Sequence, residues 1–96
     1  MTPAPVKITV VAREFSFAFS KPKVKVGTTV TFKVVNKGQV EHNLVFTTLG
    51  KATALIQPGA SATLKVRFRK KGRFFYICSV PRHAERGMSG SFLVTA

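Results

Sequence analysis

An all-β antiparallel Greek-key sandwich of seven to eight strands is the fold class this sequence predicts. Three observations predict it. Apolar and polar residues alternate with period two over most of the chain, and turn signals recur about every eight to twelve residues. No segment carries a convincing apolar run at helical spacing. Ninety-six residues, 45% hydrophobic and including nine Phe, suffice for a single domain spanning 1–96 with a modest core.

The first alternating segment is "VKITVVAR" (Val6–Arg13), followed by "FSFAF" (15–19) and the turn signal "SKPK". "KVKVGTTVTFKVVN" (23–36) alternates over most of its length, with Gly27 as a break; Val30, Phe32 and Val34 face inward while Thr31 and Lys33 face water. After "NKGQ" comes "HNLVF" (42–46), then "TTLGKATALI" (47–56), which has no clear period and reads as loop or short strand. "QPGAS" leads into "ATLKVRF" (62–68), whose Leu64, Val66 and Phe68 point inward. "KKGR" leads into "RFFYICS" (73–79), and "GSFLVT" (90–95) closes the chain. Val, Thr, Phe and Ile enrichment suits pleated strands. Tyr76, two positions before Cys78, sits where a sandwich can use a tyrosine corner.

Charge is the oddest bulk property. Ten Lys and six Arg face three Glu and no Asp, a formal net charge of +13. Lys21, Lys23 and Lys25, and again Lys65, Arg67 and Arg69, alternate as the solvent faces of strands do. Such a charge favours acidic proteins and anionic membrane surfaces. A specific nucleic-acid module is disfavoured, because the aromatic residues occupy core positions and form no stacking platform. No apolar stretch of 18 residues exists to span a membrane. The start, "MTPAPVKITV", lacks the layout of a signal peptide, so the chain reads as a cytoplasmic protein or as a mature domain restarted at an added Met. With one cysteine there is no internal disulfide.

Chemistry concentrates in "YICSVPRHAERGMSGSFLV" (76–94). Cys78, His83 and Met88 are spaced with four residues between each pair, and His42 opens a separate apolar strand. With Met1 set aside, these are every Cys, His and Met in the protein. Singly, each has an ordinary role, as a small buried hydrophobe, a satisfied polar residue or a core filler. Together, a loop marked by Pro81 and Gly87 between adjacent strands can fold its Cys, His and Met toward one point, which a His from a neighbouring strand completes. Two imidazoles, a thiolate and a distant thioether suit one copper ion held for electron transfer. Structural zinc prefers four strong Cys or His ligands, and Met is a poor choice for it.

These residues resemble the cupredoxins, the small blue (type 1) copper proteins. "YICSVPRHAERGMSGSFLV" is similar to their ligand loop, "EHNLVF" to their first-histidine strand, and "EFSFAFSKPKVKVGTTVTFKVVNKG" to their N-terminal strands. The four-and-four spacing is most similar to the rusticyanin, sulfocyanin and auracyanin branch, since plastocyanin has a shorter Cys–His gap. The resemblance implies His42, Cys78 and His83 as equatorial ligands and Met88 as a weak axial one. It implies that Asn43 ties the two ligand-bearing segments together, with its backbone N–H near the Cys78 sulfur, and that Ser79 helps fix the loop. One departure stands out: Arg82 occupies a position where the family commonly has Gly, beside the His83 edge through which electrons are expected to leave.

The function implied is a monomeric, non-enzymatic carrier that cycles one copper ion between Cu(I) and Cu(II). Its expected partners are acidic redox proteins, such as a c-type cytochrome or a terminal oxidase domain. Its expected setting is periplasmic or extracytoplasmic, with the export signal or anchor trimmed away. Copper storage or delivery through the same ligands is the alternative. A Cys–His nucleophile leaves Met88 and His42 idle. A multicopper or nitrite-reducing enzyme needs more histidines than two, and a dinuclear site needs a second cysteine.

Overall fold

In the computed structural model, which describes residues 3–96, the alternating segments form nine strands. They are β1 (Val6–Arg13), β2 (Ser16–Phe19), β3 (Lys23–Lys25), β4 (Thr29–Asn36), β5 (Val45–Phe46), β6 (Lys51–Ala52), β7 (Ser61–Arg67), β8 (Gly72–Ile77) and β9 (Ser89–Thr95). A 3-10 turn, Ala84–Arg86, interrupts the path from β8 to β9. One sheet has the order β2-β1-β4-β7 and the other β3-β9-β8-β5-β6.

Alternation places the core. Along β4, Val30, Phe32, Val34 and Asn36 are buried while Lys33 is exposed. β4 lies between β1 and β7, with Phe32 opposite Ile8 on one side and Leu64 on the other. Phe32 meets Phe46, Phe92, Phe19 and Phe68 at ring-centroid distances of 5.2, 5.4, 5.9 and 6.1 Å. Edge and tilted contacts of this kind let phenylalanines fill the space between sheets without voids. Gly27 is where the chain crosses between sheets, with β3 in one and β4 in the other. Its φ of +89° is open to glycine and costly to any residue with a Cβ.

The two-sheet sandwich is the one predicted, with three refinements. β1 pairs with β4 in parallel, as β3 does with β9. Period two reveals which face is buried, not which strand lies alongside or in which direction. The expected strand over 42–46 is regular only at β5, and His42 instead makes an isolated antiparallel bridge with Ile56. His42, Asn43 and Leu44 are three consecutive buried residues, which strict alternation forbids. The third concerns Tyr76, whose hydroxyl makes no hydrogen bond to the backbone among the described residues. Its ring packs instead against Phe19 and Phe17 at 4.6 and 5.6 Å, and burial pushes its hydroxyl pKa up.

Candidate metal centre

His42 is set in place from the backbone outward. Its N–H donates to Ile56 O at 3.1 Å, and the Ile56 N–H donates back to His42 O at 2.7 Å. Asn36, buried at the end of β4, supports that exchange. Its Nδ2 donates to Ile56 O and to Val40 O, both at 2.8 Å, while its Oδ1 accepts from Gly38 N–H at 2.8 Å.

The second segment leaves β8 one residue before Cys78 and returns at β9 one residue after Met88. Val80 to His83 is a tight turn closed by His83 N–H donating to Val80 O at 3.1 Å. Pro81 takes its second position and Arg82, with φ +70°, its third, the pattern of a type II turn. The 3-10 turn then ends at Gly87, whose φ is +111°. Met88 N–H donates to His83 O and Cys78 N–H donates to Met88 O, both at 3.0 Å, so the three loop residues are bonded to one another through the backbone.

The two segments meet side chain to side chain. His42 Nδ1 lies 3.2 Å from His83 Nδ1, and Cys78 Sγ lies 3.5 Å from His83 Nδ1 and 3.9 Å from His42 Nδ1. A circle through these three atoms has a radius of about 2.1 Å, against metal–nitrogen and metal–sulfur bonds of roughly 2.0–2.3 Å. The donor atoms are thus spaced to share one ion. Met88 is fully buried. His42 and Cys78 are sealed at 0% and 1% exposure, and His83 keeps an 8% edge at the surface.

Asn43 and Ser79 join the two ligand-bearing segments. Asn43 Nδ2 donates to Ser79 Oγ at 2.7 Å, and Ser79 N–H donates to Asn43 Oδ1 at 2.8 Å, closing a two-point clasp between the ligand-bearing segments.

Three neighbours escaped the sequence reading. Asn36 is one. Glu14 and Phe15, at the two-residue turn between β1 and β2, are the others. Glu14 Oε1 lies 3.6 Å from His42 Nε2, and the Phe15 ring meets the His83 ring edge-on at 5.2 Å. The Gln39 N–H, seconded by that of Val40, holds the Glu14 carboxyl below the usual carboxylate range. Burial pushes the His42 imidazole toward its neutral form, with the Glu14 charge opposing. Neutral imidazole is the form that ligates a metal. No local signal in the sequence marks Glu14, which lies twenty-eight positions from His42.

Comparison with known proteins agrees with this geometry. The profile of the "Cupredoxin-like domain" family matches residues 2–91. The copper-resistant cuproprotein CopI of Rubrivivax gelatinosus is 31% identical over 90 residues, an alignment covering 74% of this chain and 54% of that protein. The chain therefore spans about half the length of that curated relative. Auracyanin B superposes with a TM-score of 0.79 at 22% identity, covering 100% of this chain and 91% of the other. Reduced auracyanin from Roseiflexus castenholzii gives 0.74 at 20% identity, covering 100% of both chains. A sandwich shared with auracyanins, a profile that runs almost end to end, and a His–Cys–His–Met set that fits a single type 1 copper ion lead to one assignment: this chain belongs to the cupredoxin-like family.

Proposed function

We propose that this protein is an electron carrier in which His42, Cys78 and His83 would hold one copper ion, with Met88 as a weaker fourth donor. The observation that carries the reading is the buried triangle of two Nδ1 atoms and one Sγ, of a size to share an ion, formed by side chains from two segments of chain. When bound, copper supplies the one-electron chemistry by cycling between Cu(I) and Cu(II). The chain's own work is to fix the donors and keep water out. The backbone bonds among Cys78, His83 and Met88 and the Asn43–Ser79 clasp resist rearrangement of the ligands, and a site that rearranges little suits both valences. His83, with its edge at the surface, is the exit route for the electron. Both histidines of the chain belong to this one cluster, leaving none for a second copper centre of an oxidase or nitrite reductase.

The partners proposed are acidic redox proteins. A net charge of +13 steers encounter with them, and the bimolecular rate falls as ionic strength rises. The setting proposed, by family likeness, is extracytoplasmic, and the working form a monomer.

Adding Cu(II) to the metal-free protein tests the reading. An intense blue or green thiolate-to-copper band should saturate at one equivalent, and Cys78→Ser should abolish it. A wild-type protein that stays colourless with excess copper overturns the proposal. The likeness to CopI favours a second reading, in which the same ligands store or deliver copper as part of copper resistance. Stopped-flow reduction set against transfer of copper to a chelator separates the two. A carrier gains electrons in milliseconds and surrenders its metal slowly, whereas a delivery protein does the reverse.

A further inference from the structure

The turn between β1 and β2 supplies none of the four donors, yet it touches both imidazoles, through Glu14 at His42 and Phe15 at His83. The contact is held against backbone preference. Phe15 has φ +69° at the second central position of the turn, where glycine is the natural residue. Among the described residues, Phe15 and Arg82 are the non-glycine residues with positive φ, and both flank the cluster. A left-handed conformation costs such a residue about 1–2 kcal/mol and persists where surrounding contacts enforce it. Phe15 is held by His83 and by the Arg86 guanidinium 5.2 Å above its ring.

Glu14 is locked more tightly still. Its Oε1 accepts from the backbone N–H groups of Gln39 and, at 2.8 Å, of Val40. Gly38 leaves the space this requires, since a Cβ there would lie 2.5 Å from one carboxylate oxygen and 2.8 Å from the other. The same Oε1 also lies 3.6 Å from His42 Nε2, which is fully buried and without a hydrogen-bond partner, a contact that clamping the loop does not require. A buried N–H left without an acceptor costs about 1–3 kcal/mol. Closing the 3.6 Å gap by roughly 0.6 Å would complete a charge-assisted bond.

We infer that Glu14 is a positioning residue of the metal centre. It holds His42 as the Nε2–H tautomer, so that the Nδ1 lone pair faces Cys78 and His83, and it sets a fixed anion beside a ligand in a strongly cationic protein. Metal-bound histidines are oriented by such partners on their other ring nitrogen. The anion favours the more highly charged Cu(II), opposing the cation at Arg82. This rests on the copper reading above for its effect on potential, but not for its effect on the tautomer.

Two variants and two readouts decide it. In the metal-free protein, histidine 15N shifts should report the Nε2–H form of His42 in the wild type and a mixture of tautomers in Glu14→Gln. In the copper-loaded protein, Glu14→Gln should raise the midpoint potential by about 59 mV, a tenfold shift toward Cu(I) for a one-electron couple. Gly38→Ala displaces the carboxylate while keeping its charge, so it should loosen the tautomer and move the potential less. A Glu14→Gln protein that folds and matches the wild type in both tautomer and potential overturns the inference. A colourless wild type sinks the copper reading instead, and the metal-free tautomers then decide the role of Glu14 alone.

Discussion

The phenylalanine core and the donor cluster are built on opposite terms. Phe19, Phe46, Phe68 and Phe92 around Phe32 are copies of one side chain, held by non-directional contact at 5.2–6.1 Å. In the cluster, Cys78 and Met88 occur once each in the described chain, and its polar neighbours are fixed by directional bonds: Asn43 to Ser79, Asn36 to Ile56, Glu14 to Gln39 and Val40. Strain follows the same division, with both left-handed non-glycine residues at the cluster. The core supplies stability that varies by degrees, because contact area can be lost a little at a time. The cluster supplies geometry, where a missing donor is not replaced by a neighbour.

The comparison predicts that stability and copper spectrum respond to different residues. The largest expected effect is in the core. Phe32→Ala should cost about 3–5 kcal/mol, or roughly 15–30 °C in Tm for a domain of this size. The charge-transfer band of the copper-loaded folded fraction should keep its position. A band that moves with Phe32→Ala would break the division outright.

Asn43→Ala comes next. Removing both halves of the clasp to Ser79 should lower thermal stability by about 1–3 kcal/mol. Unlike Phe32→Ala, it should also shift or broaden the copper band, since the clasp joins the two ligand-bearing segments. A double-mutant cycle with Ser79→Ala should return a coupling of about 0.5 kcal/mol or more. An additive pair would mean the clasp is not a unit.

The smallest effect is expected at Arg82. Its φ of +70° at the third position of a type II turn explains in physical terms why glycine suits this place. Arg82→Gly should therefore raise stability by about 0.5–1 kcal/mol while removing a cation beside His83. The midpoint potential should fall, though by less than the Glu14 change raises it, because Arg82 is exposed and screened by solvent. An unchanged or higher potential would show that the cation does not reach the metal.

Several of these residues were legible beforehand. Val30, Phe32 and Val34 were identified as inward-facing because a pleat puts alternate side chains on one face, whatever the strand's partner. Cys78, His83 and Met88 were found because a short loop between adjacent strands constrains where its donors can point. That Asn43 ties the two ligand-bearing segments together is what family likeness implies, and the structure supplies Ser79 as its partner. The segment over 42–46 reads as one strand in sequence, whereas only Val45–Phe46 is regular, because His42, Asn43 and Leu44 are all buried and leave the two-residue alternation. The position of Tyr76 two residues before Cys78 suggests a corner role that its packing among Phe17, Phe19 and Phe46 does not require.

By itself the sequence determined the sheet-forming pattern, the break at Gly27 and the chemical identity of the donors. Each of these is a property of a residue type or of close neighbours along the chain. Tertiary structure alone decided that β1 runs parallel to β4, that Ile56 sets the backbone of His42, and that Glu14 faces the buried nitrogen of that ring. Those outcomes depend on which strands become neighbours across the sandwich and on side-chain distances fixed to within an ångström by packing, and no periodicity along the chain encodes either.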